Sequence, residues 1–421
     1  MTILIRQAQI IDPSSPYHLT RQDIWIRDGR ISQIGGGSAT ADKVVETAGH
    51  CVSPGWVDIF SHFCDPGLEH KETLESGMQA AAAGGYTEVM VLPNTQPVIS
   101  GKSQVEYIVQ KTKDHAVRVH PLGAVSKQAE GKDLAEMYDM HAAGAIAFTD
   151  GLRPVQSAGL LLKALQYVKS LGVPIIQLPD DESVGRHGLV NEGIVSTRLG
   201  IPGKPALAEE ILVQRDIQLA AYTGSKLHLT GVTTPRSLEL VAAARQAGID
   251  VTCSVSPAHL FFCDEDLQGY DTNLKLVPPL RTAADRAALR QAVLDGTVDC
   301  IASHHLPHEY DSKTCEFEYA KPGMIGLETA YGVTGAALGK DLTPERWVEL
   351  VCHRPRNIFG LPVPVVEVGA EANLTLFHPS HTHTFTADRI RSRSHNTAFT
   401  GRELPGRVTG IIRNQFLIQN N

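Results

Sequence analysis

Residues 53–67 read SPGWVDIFSHFCDPG, and the reading of this stretch decides the fold. Pro54-Gly55 is a turn signal, and Val57 and Ile59 then alternate with Asp58 and Phe60 as in a strand. The stretch ends where a metal site would be expected. A strand closing in His-x-His sets two imidazoles on one face, because side chains repeat every second residue. Two such nitrogens make half of a zinc site. Here the two positions hold Phe60 and His62, and a phenyl ring has no lone pair to give.

Outward from this stretch, short apolar runs alternate with amphipathic ones. Strands are predicted at VDIF, TEVMVLP, VRVHPLGAV, GAIAFTD, VPIIQLP, KLHLTGV, DVTCSVSP and DCIASHH. Helical patterns lie between them, among them ETLESGMQAAAAG, GLLLKALQYVKSLG, ALAEEILVQRDIQLAAYTG, PRSLELVAAARQAG and AADRAALRQAVLDG. Eight β-then-α units in series predict an α/β protein built on a (β/α)₈ TIM barrel, whose chemistry belongs at the C-terminal ends of the strands. Residues 1–52 and 361–421 carry β-prone runs with turn signals and no helical period. The two ends are therefore expected to pair into one small β-sandwich beside a barrel spanning 53–360.

Composition narrows the class. The chain has 421 residues, 42% hydrophobic and 20% charged, with a formal net charge of -8. That balance argues against nucleic acid or an anionic membrane surface as the main partner. No apolar run has the length of a membrane span, and the first residues lack the order of a signal peptide. A cytoplasmic protein is expected. Seven cysteines with no CxxC pair fit reduced thiols, mostly buried. Cys64 stands apart because it lies in the deciding stretch.

The layout of β-prone ends around a barrel carries a series of ordered motifs: VDIFSHFCDPGLEHKETLESG, VLPNTQPV, AFTDG, RLGIPGKPALAEE, YDTNLKLVPPLR, HHLPH, GMIGLETA and GRELPGRV. Together they resemble the class I dihydroorotases of the amidohydrolase superfamily, nearly end to end. The resemblance implies two zinc ions and a bridging hydroxide that opens the cyclic amide of dihydroorotate. It also implies where the ligands should stand. The D-x-H-x-H-x-R-x-P-G pattern becomes Asp58, Phe60, His62, Cys64, Pro66 and Gly67. The arginine that would pair with a substrate carboxylate is thus Cys64, which cannot form the bidentate contact of a guanidinium. The bridging aspartate of F-[ST]-D-D-G falls on Gly151, after Asp150. Further ligand histidines fall on Leu178 and Gly231, the barrel's last aspartate on His304, and an asparagine of the substrate pocket on Val277.

Of six metal-ligand positions, only His62 keeps the residue that the resemblance implies. Apolar or vanishing side chains at the others remove the cost of burying imidazoles and carboxylates without a metal. Asn94 and His308 match substrate-holding residues and are expected as vestiges. The acidic runs at Asp180-Asp181 and Asp264-Glu265-Asp266 read as solvated loops or helix starts. No metal is therefore expected, and a single residual ion held by His62, Asp150 and His304 is the alternative. The resemblance is strongest to non-catalytic homologues that associate with aspartate carbamoyltransferase in pyrimidine biosynthesis. A pseudoenzyme subunit in a homo- or hetero-oligomer is the main expectation. An amidohydrolase acting on cyclic amides with an altered, single-metal site is the other.

Overall fold

In the computed structural model, which describes residues 1–37, 40–46 and 49–420, the first barrel strand is Trp56–Ser61. It pairs in parallel with Tyr86–Val91, which pairs with Arg118–Pro121. A second set runs in parallel through Ile175–Gln177, Leu227–Leu229, Val251–Val255 and Cys300–Ile301. Phe148 bridges to Gly123 on one side and Ile175 on the other, supplying the fourth strand position. The ring closes where Ser61 bridges to His305 and the His62 N–H donates to the His305 carbonyl at 2.9 Å. The eight strand positions are those predicted from the alternation of apolar runs.

Helices cover the barrel where the periodic apolar faces foretold them: Leu74–Ala83, Ala158–Val168, Leu207–Thr223, Pro235–Gln246 and Ala283–Asp295. Their starts are set by local chemistry. Thr73, Ser157, Thr234 and Thr282 each accept a backbone N–H of the first turn, which satisfies a donor that the helix cannot. Lys102–Thr112, Met137–Ala143 and Ala330–Leu338 complete the ring at positions where the sequence pattern is weaker. No helix is long and apolar enough to cross a membrane among the described residues.

The two chain ends do pair, as one hydrogen-bonded sheet of eight strands. The strand Cys51–Pro54 lies between Thr2–Ile10, which it meets in parallel, and Asn373–Thr384, which it meets antiparallel. Seven strands follow one another on a path and Lys43–Glu46 branches off Thr2–Ile10, over a core that joins Ile3, Ile24 and Val52 to Leu374 and Ile412. Trp56 forms the seam with the barrel. Its indole contacts the rings of Tyr86, Tyr331, Trp347 and Phe377 at 5.3–6.3 Å and donates to Ser53 Oγ at 3.0 Å. Gly55 has to be glycine, because a Cβ there would fall on the side chains of Asn373 and Thr87. All seven cysteines are free thiols, six of them buried.

Candidate functional site

The C-terminal ends of the strands form the mouth of the barrel, and Asp58 ties its first and last strands. One oxygen of Asp58 accepts the Ser303 N–H at 2.6 Å and the other accepts the Ser61 hydroxyl at 2.5 Å. Burial nevertheless pushes this carboxyl above its ordinary range, with the serine bonds pulling the other way.

His62 is spent on the protein itself. Its Nε2 lies 3.1 Å from the Asn94 carbonyl and its Nδ1 3.2 Å from Cys64 Sγ. A carbonyl only accepts, so Nε2 carries the proton, and the Cys64 thiol donates to Nδ1. Burial keeps both groups neutral: the imidazole is pushed down to about 4 and the thiol well up. Neither ring nitrogen of His62 has a free lone pair for a metal. Cys64 reaches this position from a left-handed backbone, φ 59°. At the position implied for a substrate-binding arginine, it now caps the neighbouring histidine.

The other positions are filled or closed. The Phe60 ring lies 4.7 Å from that of His304, tilted by 31°. His304 has Nε2 3.0 Å from Thr230 Oγ1, while its Nδ1 is buried with no partner. Burial, with the nearby His259 and His228, pushes this imidazole down to about 3. A Cβ on Gly231 would stand 2.7 Å from His304 Cε1 and 2.9 Å from Leu178 Cδ1. Glycine, leucine and histidine thus pack together where the resemblance implies three ligands. Gly151 adopts φ 63°, and a Cβ there would land on Asn94 Oδ1. Asn94 occupies that space, donating to the Asp150 carbonyl at 3.0 Å and accepting the Leu152 N–H at 3.1 Å. It serves as a brace for the 150–152 loop. Val277 lines a small cavity beside His304.

The alternative ligand set, His62, Asp150 and His304, is not gathered into a metal site. Both Asp150 oxygens are taken by Ser126, through its N–H at 2.9 Å and its hydroxyl at 2.5 Å. No group of three or more His, Cys, Asp or Glu side chains is placed to hold a metal ion among the described residues. The unpartnered His304 Nδ1 has no set of further ligands around it among the described residues, so the residues present do not fit the two zinc ions that the resemblance implies.

Space for a ligand persists. A cleft of about 750 Å³ opens at the mouth, lined by His62, Asn94, Gln128, Arg153, His308 and Lys321 among others. His308 is fixed by its Nε2 on the Pro322 carbonyl at 2.9 Å and leaves Nδ1 unpartnered. Burial pushes it down to about 4. The cleft is of ordinary ligand size. It offers hydrogen-bonding groups and the positive charge of Arg153, Lys71 and Lys321.

Among the buried histidines not singled out by the sequence are His228 and His259. His228 is held by Thr252 at 2.9 Å and Ser254 at 3.0 Å, and His259 by Ser256 at 2.7 Å and the Pro278 carbonyl at 2.9 Å. The signal for His228 was its spacing of two from Thr230 on a strand, which puts both inside the barrel. Asp264, expected in a solvated helix start, does open a short 3₁₀ turn but is buried, accepting from Asn191 at 3.1 Å.

Comparison with known proteins agrees with this architecture. The dihydro-orotase-like family matches residues 49–237. A protein of Pelotomaculum thermopropionicum named dihydroorotase is 40% identical over 409 residues, 96% of each chain. One of Desulfotalea psychrophila with the same name is 41% identical over 411 residues, 97% of each chain. Among solved structures, the L-hydantoinase of Arthrobacter aurescens superposes with a TM-score of 0.86 at 22% identity, covering 99% of this chain and 96% of that one. That likeness shows the fold alone, whereas identity of this extent to the first two shows the family. The chain belongs to the dihydroorotase-like family of the amidohydrolase fold.

Proposed function

We propose that this chain is a dihydroorotase-like pseudoenzyme, a structural subunit that supports the assembly of aspartate carbamoyltransferase. The observation that carries the reading is His62. The one ligand-type residue kept at its family position is bound at both ring nitrogens by Asn94 and Cys64. The relatives named dihydroorotase show what the family does, and the filled mouth is the reason to set this chain apart from that activity. A scaffold that keeps all eight strands after its donors have gone retains a use for its surface. Exposed Tyr222, Tyr310 and Tyr319 are suitable anchors for a partner.

Elemental analysis of the dialysed protein should give well under one zinc per chain, and dihydroorotate should not turn over. Two equivalents of zinc would overturn the reading. Phe60→His alone should restore neither metal nor activity, because Gly151, Leu178, Gly231 and His304 still provide no ligand set. Size-exclusion chromatography with the transferase tests the partner. Co-elution and a transferase that is more stable in the mixture are expected, since binding to the folded form shifts folding toward it. Separate elution, with the transferase fully active alone, would leave the second reading, an amidohydrolase of altered chemistry, which the persistent 750 Å³ cleft favours.

A further inference from the structure

We propose that the seam between the barrel and the C-terminal sheet holds a binding pocket for a phosphate-class oxyanion, built by Arg389, Arg391 and Arg407. All three guanidinium-bearing side chains line one pocket, of about 60 Å³, floored by Tyr331, Gly332 and Gly406. A buried water needs roughly 10–15 Å³ by this measure, so the space suits several waters or one phosphoryl group.

No close ion pair compensates the charges that meet here, although the exposed Asp388 carboxylate acts on Arg389 and Arg391 at longer range. No carboxylate lies within ion-pair distance of any of the three guanidiniums among the described residues. Arg407 makes one long bond, to the Asn420 carbonyl at 3.5 Å, and Arg391 one to the Asp388 carbonyl at 3.0 Å. The Arg389 side chain makes none among the described residues. In a chain of net charge -8, three arginines with so many unused donors line one pocket.

The neighbours point the same way. His383 lines the pocket with an Nδ1 that is buried and has no hydrogen-bond partner. Burial, Arg389 and Arg407 push this imidazole down to about 4. Burial and then Arg389 likewise push the Arg407 guanidinium down, so the positive groups lie close enough to repel one another. An anion among them would relieve that repulsion. The acidic group in the lining, Glu328, is turned to the backbone: one oxygen accepts the N–H groups of Arg391 and Ser392, and the other has no partner. Burial pushes its carboxyl up to about 7, which leaves it largely protonated below neutral pH and a weak opponent of an incoming anion. Guanidinium forks suit tetrahedral oxyanions because two parallel N–H bonds match two oxygens.

The test is calorimetric titration of the whole chain with inorganic phosphate, pyrophosphate and ATP at low salt. Saturable binding tighter than about 1 mM is expected for at least one of them, with Arg389→Ala and Arg407→Ala each weakening it about tenfold or more. Arg236→Ala, an exposed arginine on a remote helix, should change nothing. Equal affinity for phosphate and ATP would mean that a free oxyanion is recognised. Tighter binding of ATP, still lost in the variants, would mean a phosphoryl group carried by a larger molecule. Arg389→Ala removes no internal hydrogen bond, so it carries the test if Arg407→Ala fails to fold. The absence of saturation at about 10 mM, or binding indifferent to both variants, would overturn the proposal. Neither result bears on the metal content of the barrel mouth.

Discussion

The two ends of the barrel treat buried polarity in opposite ways. At the N-terminal end of the second strand, Glu88 is sunk in the protein with both carboxylate oxygens hydrogen-bonded. One oxygen accepts from Arg356 at 2.7 Å and from Asn373 at 3.3 Å, and the other lies 2.6 Å from His120 Nε2. Arg356 also donates to the carbonyls of Gly55 at 3.0 Å and Pro362 at 3.1 Å. Burial opposes the charge on Glu88, but His120 and Arg356 outweigh it and hold the carboxyl far below its usual range. At the C-terminal end, phenylalanine, leucine and glycine stand where donors would be, and burial holds His62 and His304 neutral. A buried charge persists where protein partners surround it, and it is absent where only a metal could have served as the partner.

The bottom network should therefore be the most fragile point. Glu88→Ala leaves the Arg356 guanidinium buried without its counter-ion, and removing one partner of such a pair costs about 3–5 kcal/mol. Denaturant unfolding followed by circular dichroism should show that loss as a lower midpoint. A change below about 1 kcal/mol would mean that the network is incidental and that the contrast between the two ends fails.

At the mouth, restoring a ligand is expected to hurt rather than help. Gly151→Asp puts a side chain at φ 63° and onto Asn94 Oδ1, so a loss of about 2 kcal/mol is expected from strain and overlap. Asn94→Gly made together with it should recover part of that loss. The double-mutant cycle then gives a coupling of about 1 kcal/mol or more. Strict additivity would show that Asn94 does not occupy the vacated space.

The barrel was legible in the sequence because each βα unit is a local pattern, an apolar run of strand length followed by a helical period. Trp56 and its strand could be placed from Pro54-Gly55 and four residues of alternation. The strand order of the terminal sheet was not legible. It depends on Cys51–Pro54 meeting Asn373–Thr384, residues more than 300 apart, and such pairing leaves no local periodicity. In the site, the residue types at the six positions could be read, since a glycine or phenylalanine cannot ligate whatever the fold. The cap on His62 by Cys64 and the filling of Gly151's space by Asn94 could not. Both depend on loop backbones in the left-handed region, φ 59° at Cys64 and φ 63° at Gly151, which the side-chain pattern does not encode.

The smallest effect sharpens the comparison through pH. His304 is buried and its imidazole sits at about 3 in the folded chain, against roughly 6.5 when unfolded. A depressed histidine binds its proton more readily unfolded, so the stability it contributes is complete above about pH 6.5. That stability is lost as the pH falls toward the folded value. From pH 7 to pH 5 this one residue should remove about 1–2 kcal/mol. Glu88 behaves differently: its folded value is depressed, so its contribution is present above the ordinary carboxylate range and is untouched in the same window. His120, also pushed down by burial, adds a loss of its own at the bottom, so a variant has to separate the two ends. His304→Leu replaces the ring by an apolar group against Phe60 and leaves nothing there to titrate. Its unfolding free energy should fall less steeply between pH 7 and pH 5 than that of the parent chain, by about 1 kcal/mol over the interval. Parallel pH profiles for the two proteins would mean that His304 is solvated and protonatable in the folded state. The mouth would then hold more water, and more chemistry, than its packing against Phe60 and Leu178 allows.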